Sequence, residues 1–265
     1  MRAPMEGTPR EPTTRDKAAL SAPPRCLIVA SEPLLARLVH LVLDHGLYER
    51  RIVTTVAQAR STLETWQPHL VFVDLDLEDV GDSIDLIGLR RRLGARFPII
   101  ALTRHDDMRT KLTAFERGVD DLLTVPFAPE ELVARALAAI RRTQGVTVPF
   151  ISALHVGELE IDLLDQKVIA NGQQIPLTRT QRSLLYVLAA GSGMVMSRDQ
   201  LLEYIFGQDA VLIESNVIDR HVRDLRSKLG DDPYHPRYIE TVAGAGYRFI
   251  GAPAAHEPQR PTPNL

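Results

Sequence analysis

The sequence predicts a protein in two parts, an α/β half built on a parallel sheet and a smaller α+β half ending in a helix and a hairpin. Three observations carry this reading. From Arg25 onward, strand-like and helical patterns alternate five times. Residues 154–177 then switch to short strand-like runs with Asn171–Gly172, a strong hairpin signal, among them. Last, Ser215–Leu229 (SNVIDRHVRDLRSKL) is an amphipathic helix, followed by two β-like runs in Tyr238–Ile250.

In the first half the strand-like runs are CLIVA (26–30), RIVTTV (51–56), HLVFVD (69–74), PIIAL (98–102) and DLLTV (121–125). Helical patterns lie at about 33–44, 57–66, 83–95, 106–117 and 130–142. Near-continuous apolar strands separated by amphipathic helices imply a parallel sheet covered on both faces. Function in such sheets collects at the carboxyl ends of the strands. Here those ends carry Ala30, Ser31 and Glu32, then Asp74, Thr103 and Val125–Pro126. No Gly-x-Gly-x-x-Gly follows the first strand, which argues against a dinucleotide site.

Gln144–Ala153 has no charged residue and includes Gly145 and Pro149, so residues 143–153 read as a linker. Beyond it come LHVGELEI (154–161), QKVIA (166–170) and QQIPL (173–177). Thr178 with Gln181 matches a capping box opening a helix to about Ala190, and Ser197 caps a second helix, RDQLLEYIF. Residues 1–24 and 252–265 are proline-rich with little apolar surface, and read as disordered tails. The organisation expected is therefore tail 1–24, first domain 25–142, linker 143–153, second domain 154–251 and tail 252–265.

Size fits two ordinary domains, and a net charge of −3 argues against a bulk polyanion binder. No apolar run approaches the roughly 20 residues that cross a bilayer, so no membrane partner is expected, and Arg2 is followed by no apolar signal segment. Cys26 is the lone cysteine and reads as a small core residue. A reducing, cytoplasmic setting fits.

In the helix of residues 215–229, Ile218, Val222, Leu225 and Leu229 stack along one face. Asn216, Arg220, Arg223 and Ser227 fall opposite. The following runs join through Gly244 and Gly246, which suit a tight turn. Helix plus hairpin is the layout of a winged helix, whose helix enters the major groove of double-stranded DNA. A plain solvated surface helix shows the same pattern. Residues 154–251 carry 10 Lys and Arg against 13 Asp and Glu, so any attraction to phosphate is local.

The ordered chain resembles a bacterial response regulator of the OmpR/PhoB type. The resemblance rests on RCLIVASEPLLARLV, PHLVFVDLDL, PIIALTRHDD, GVDDLLTVPFAPEELVARALAAIRR, LTRTQRSLLYVLA, SRDQLLEYIFG, VIDRHVRDLRSKL and TVAGAGYRF. These eight stretches span about residues 25–251 in the family's order and spacing. The resemblance implies a doubly wound, flavodoxin-like receiver with a five-stranded parallel sheet, followed by an α+β winged-helix DNA-binding domain. It also implies a phospho-acceptor at Asp74, a metal-binding carbonyl at Asp76, and at Thr103 the hydroxyl that follows the phosphoryl group.

The chain departs from the family's pattern in its pocket. Two acidic residues that hold Mg²⁺ are matched by Ala30 and Ser31, and Glu32 matches a third acidic position that is not normally a ligand. The lysine expected before Pro126 is Val125, and the switch aromatic is Leu122. Phosphoryl transfer to a carboxylate rests on cations that neutralise gathering negative charge. Mg²⁺ prefers carboxylate oxygens, so it is expected to bind this pocket weakly. Asp74 is accordingly expected to be a poor phosphorylation site, and no catalytic residue or enzyme activity is expected.

The family's receiver dimer uses a charge ladder on the fourth helix, fifth strand and fifth helix. Lys111, Asp120, Asp121, Glu131, Arg135 and Arg142 match it in sign, though ordinary surface charges would look alike. For DNA, the resemblance points to Asn216, Arg220, His221, Arg223 and Ser227 on the helix and to Thr241 in the wing. The wing position often held by a minor-groove arginine is Ala243. The loop Gly207–Glu214 resembles the segment that contacts RNA polymerase in relatives.

The reading reached is a sequence-specific, dimeric transcription regulator with a phosphorylation-independent receiver. Two alternatives stay open. One is a conventional two-component regulator phosphorylated at Asp74 by a cognate histidine kinase. The other is a regulator that takes a small molecule in the emptied receiver pocket.

Overall fold

The computed structural model describes residues 24–43, 48–77, 88, 90, 97–144, 153–156, 158–162, 166–214 and 216–251. The tails apart from Pro24, most of the linker and most of the helix expected at 83–95 lie outside them.

The first half is a five-stranded parallel sheet of β1 (Arg25–Val29), β2 (Glu49–Val53), β3 (Leu70–Asp74), β4 (Ile99–Thr103) and β5 (Asp121–Thr124). Its order is β2-β1-β3-β4-β5, the flavodoxin-like form of the doubly wound fold. Side-chain alternation divides the core in two. Cys26, Ile28, Phe72, Ile100, Leu102 and Leu123 meet helices α1 (Pro33–Leu43) and α4 (Pro129–Gln144) on one face. Leu27, Val29, Val71, Val73, Ile99 and Ala101 meet α2 (Val56–Trp66) and α3 (Met108–Arg117) on the other. Burial on both faces is why these strands read as unbroken apolar runs.

The second strand corrects the sequence reading. It begins at Glu49 and ends at Val53, because the Thr55 side chain accepts from the Gln58 amide and so starts α2. Its charged residues suit an edge strand, and Arg51 lies 4.5 Å from the Trp66 ring centre.

The second half opens with an antiparallel sheet, β6 (Ala153–Val156), β7 (Leu159–Asp162), β8 (Lys167–Ala170) and β9 (Gln173–Ile175). Residues 154–161 were expected as one run, but the chain reverses between Val156 and Leu159 and the two pieces pair with each other. Asn171 and Gly172 both take positive φ, as a two-residue hairpin loop requires.

Helices α5 (Arg179–Ala190) and α6 (Arg198–Phe206) each start with a complete capping box, Thr178 with Gln181 and Ser197 with Gln200. A 3₁₀ segment, Gly207–Leu212, leads on to α7 (Asn216–Leu229). A three-stranded sheet, β10-β12-β11, closes the winged helix, with β10 at Val195–Met196, β11 at Ile239–Val242 and β12 at Gly246–Phe249. Two residues are too few to show a period, so β10 is not visible in the sequence. Gly246 is required here: a Cβ at that position would lie 2.0 Å from the Met196 carbonyl oxygen.

The two halves share one continuous apolar cluster, running from Leu34 and Leu38 of α1 to Tyr186, Val187 and Tyr204 of the winged helix. Polar contacts flank it. Gln166 Nε2 donates to Glu130 at 3.0 Å, and an Arg37 guanidinium nitrogen donates to the Ser192 carbonyl at 3.3 Å.

Candidate nucleic-acid interface and receiver pocket

The receiver pocket forms where the carboxyl ends of β1, β3 and β4 meet. Ala30 is buried, Ser31 is exposed and Glu32 is half-buried. Asp74 closes β3 at 2% exposure, with Oδ1 accepting from the Asp76 amide at 3.0 Å. Burial pushes the Asp74 carboxyl up to about 6. The Asp76 amide opposes that rise and the Asp76 charge adds to it.

Asp76 points its side chain at the end of β4. Its carboxylate accepts from the Thr103 hydroxyl at 3.1 Å and from the Arg104 amide at 2.7 Å. Thr103 is fully buried, and its oxygen also accepts from the His105 amide at 3.1 Å. The hydroxyl expected to follow a phosphoryl group is thus engaged with Asp76. Val125, before a cis bond to Pro126, is buried where the family's lysine is matched, and Leu122 packs into the core beneath the sheet.

Arg104 carries no motif or spacing that marks it in the sequence. Its guanidinium pairs with Glu32 and lies 3.8 Å from Asp76 and 3.6 Å from Glu203 of α6. Glu32 also accepts the Tyr204 hydroxyl of α6. Glu32, placed one residue beyond the matched ligand positions, is therefore held by a cation and a phenol.

This donor set does not fit Mg²⁺. The matched ligand positions are an alanine and a serine, the Asp76 carboxylate beside Asp74 is engaged by Thr103 and the Arg104 amide, and Glu32 is neutralised by Arg104. No cluster of three or more His, Cys, Asp or Glu suited to a metal occurs among the described residues.

On the edge of the receiver, Lys111 pairs with Asp106. Arg135 joins Asp121 at 2.8 Å and Glu131 at 2.6 Å. Asp120 pairs with Arg90 and accepts from the Ile99 amide at 2.7 Å, while Arg142 is exposed. Next to these charges Met108, Leu112 and Phe115, spaced along α3, stand 67%, 55% and 47% exposed. This stripe was missed in the sequence because it reads as an ordinary core face.

In the winged helix, Ile218, Val222, Leu225 and Leu229 bury one face of α7. Arg220, Arg223 and Ser227 are exposed, and His221 is half-buried. Asn216 donates to Glu214 at 2.9 Å. The other two cations of α7 are structural. Arg226 is 8% exposed and donates to the Ile239 carbonyl at 2.6 Å and to the Thr241 hydroxyl oxygen at 2.9 Å. Lys228 donates to the Pro176 carbonyl and to Gln181. Thr241 accepts from Arg226, which leaves its own O–H free to donate outward.

Asp219 fixes the start of α7, accepting from Arg198 at 2.7 Å and from the Tyr247 hydroxyl at 2.6 Å. Buried Asp231 fixes the exit, accepting the backbone amides of Arg237, Tyr238 and Ile239 at 2.6–3.2 Å. Neither anchor was legible beforehand.

A receiver-type sheet followed by a winged helix defines a regulator of the response-regulator class. Residues 26–137 match the family described as "Response regulator receiver domain", and residues 172–249 match "Transcriptional regulatory protein, C terminal". The "Transcriptional regulatory protein KdpE" of Mycobacterium tuberculosis is 33% identical over 223 residues, 84% of this chain and 97% of that one. The "DNA-binding response regulator MtrA" of Mycolicibacterium smegmatis is 34% identical over 224 residues, covering 84% and 96%. The solved structure of DrrB, a Thermotoga maritima OmpR/PhoB homolog, is 26% identical over 86% of this chain and all of that one, with a TM-score of 0.39. The chain belongs to the OmpR/PhoB-type response regulators.

Proposed function

We propose that this regulator binds double-stranded DNA sequence-specifically as a homodimer and does so without phosphorylation of Asp74. The observation that carries the second half is the Arg104 guanidinium on Glu32, with Tyr204 on the same carboxylate. A cation of the chain itself occupies the mouth of the pocket, and the Glu32 carboxylate is tied up by it. Stabilising a phosphoaspartate needs counter-charge preorganised on the phosphoryl oxygens beside Asp74; Val125 and Ala30 supply none, and Arg104 is committed to Glu32.

The domains on this reading are a receiver, 25–142, and a winged helix, 154–251. DNA contact falls to Arg220 and Arg223, with Asn216, Ser227 and His221 beside them and Thr241 donating to phosphate. Dimerisation through α3, β5 and α4 is supported by the apolar stripe of Met108, Leu112 and Phe115 beside the charges of Lys111, Asp121, Glu131 and Arg135. Two recognition helices would then meet half-sites about one helical turn apart. Val211 and Leu212, 90% and 87% exposed on the 3₁₀ segment, support a contact with RNA polymerase. A cytoplasmic setting goes with these partners.

Incubation with acetyl phosphate and Mg²⁺, followed by phosphate-affinity electrophoresis, tests the reading. The expected result is an unshifted protein that still footprints its operator. Stoichiometric labelling of Asp74 with a gain in DNA affinity would refute it.

A further inference from the structure

Between the two halves lies a cavity of about 280 Å³, roofed by the segment that carries the cis Val125–Pro126 bond. Leu38, Val125 and Phe127 of the receiver face Val187, Ile205 and Phe206 of the winged helix across it. These walls are apolar and preformed. The volume sits just below the roughly 300–1,000 Å³ usual for small-molecule sites, so an occupant would be small.

One face of α5 supplies the polar groups. Arg179, Ser183 and Tyr186 follow one another at spacings of four and three, which aligns them on a single side of the helix, and all three line the cavity. Tyr186 is 4% exposed, and its hydroxyl has no hydrogen-bond partner among the described residues. A buried hydroxyl left without a partner is destabilising, so its retention calls for an acceptor. Burial pushes this hydroxyl well above the ordinary tyrosine range, and the Glu130 charge adds to the rise, so it remains an O–H donor. Arg179 is exposed and forms no ion pair among the described residues. The set is therefore one cation, two hydroxyls and an apolar chamber.

We infer that this interdomain cavity binds a small monocarboxylate with an apolar body about the size of one aromatic ring. Its carboxylate meets Arg179 and accepts from Ser183 and Tyr186, while its body lies between Phe127 and Phe206. The site adjoins the receiver pocket, with Val125 and Tyr204 on the boundary, but neither Asp74 nor Ala30 lines it. Because both halves supply walls, an occupant alters how firmly they hold together.

Calorimetry and ligand-observed NMR on the full chain test this with benzoate, phenylacetate and 4-methylvalerate against their neutral amides. At least one acid should bind saturably, and its amide should bind about 10-fold more weakly, as a lost charge-assisted bond implies. Arg179→Met should weaken the acid by a similar factor. Tyr186→Phe should weaken it too while leaving the melting temperature unchanged or raised, a combination that loss of a structural hydroxyl does not produce. Failure of every acid to bind saturably would overturn the inference, as would equal affinity for acid and amide or indifference to Arg179→Met.

Discussion

The Tyr204 hydroxyl, on the second helix of the winged-helix half, donates to the Glu32 carboxylate at the mouth of the receiver pocket. That bond joins residues 172 positions apart, and Arg104 completes it from the end of β4. Tyr204→Phe removes the donor while keeping the ring. A hydrogen bond to a charged group is worth about 1.5–3 kcal/mol, and the partial exposure of Glu32 argues for the lower end. At 2–4 °C per kcal/mol for a chain of this size, the midpoint of thermal unfolding should fall by about 3–6 °C. An unchanged midpoint would show that the contact contributes nothing.

Of the four cations on α7, two face outward and two hold the fold. Arg223→Ala should weaken operator binding by about 1–3 kcal/mol, with Arg220→Ala similar, at unchanged thermal stability. Arg226→Ala should instead lower stability by about 1–3 kcal/mol, because the buried Ile239 carbonyl loses its donors. Fluorescence anisotropy on operator DNA, paired with calorimetry, separates the two. Equal effects of Arg223→Ala and Arg226→Ala on both readouts would contradict the assignment.

Much of this half was legible because its signals are local. Thr178 with Gln181 and Ser197 with Gln200 mark helix starts within four residues, and the spacing of Ile218, Val222, Leu225 and Leu229 shows the buried stripe directly. The inward role of Arg226 was also within reach, since it sits four residues after Val222 at the margin of that stripe. Arg104 and Tyr204 were not, because each acts on partners that only the folded chain brings near, and Asp231 caps amides six to eight residues on across a loop that has no sequence period. The reversal between Val156 and Leu159 was hidden by apolar residues on both sides of it.

Asp74 gives a pH prediction with a definite sign. Its folded pKa is about 6 against an ordinary value of 3.8, so the neutral form favours the folded state. The stability it contributes is fully present below about pH 3.8 and is lost as pH rises through 6. Asp74→Asn keeps the neutral form, and should be more stable than the parent by about 1–3 kcal/mol at pH 8, with the gap closing towards pH 4. Urea titrations at the two pH values check this. A variant less stable than the parent at pH 8 would contradict it.

For the dimer, Leu112 lies in the middle of the exposed stripe of α3. Leu112→Glu should convert the chain from dimer to monomer in sedimentation at micromolar concentration without altering the circular dichroism spectrum. A parent that already sediments as a monomer, or a variant that stays dimeric, would remove this face from the interface.

The most direct test of the central claim compares operator affinity of the untreated parent, of Asp74→Asn, and of the parent after acetyl phosphate with Mg²⁺. The three dissociation constants should be equal within about twofold, a difference of some 0.4 kcal/mol. Binding that appears only after phosphodonor treatment and disappears in Asp74→Asn would contradict it.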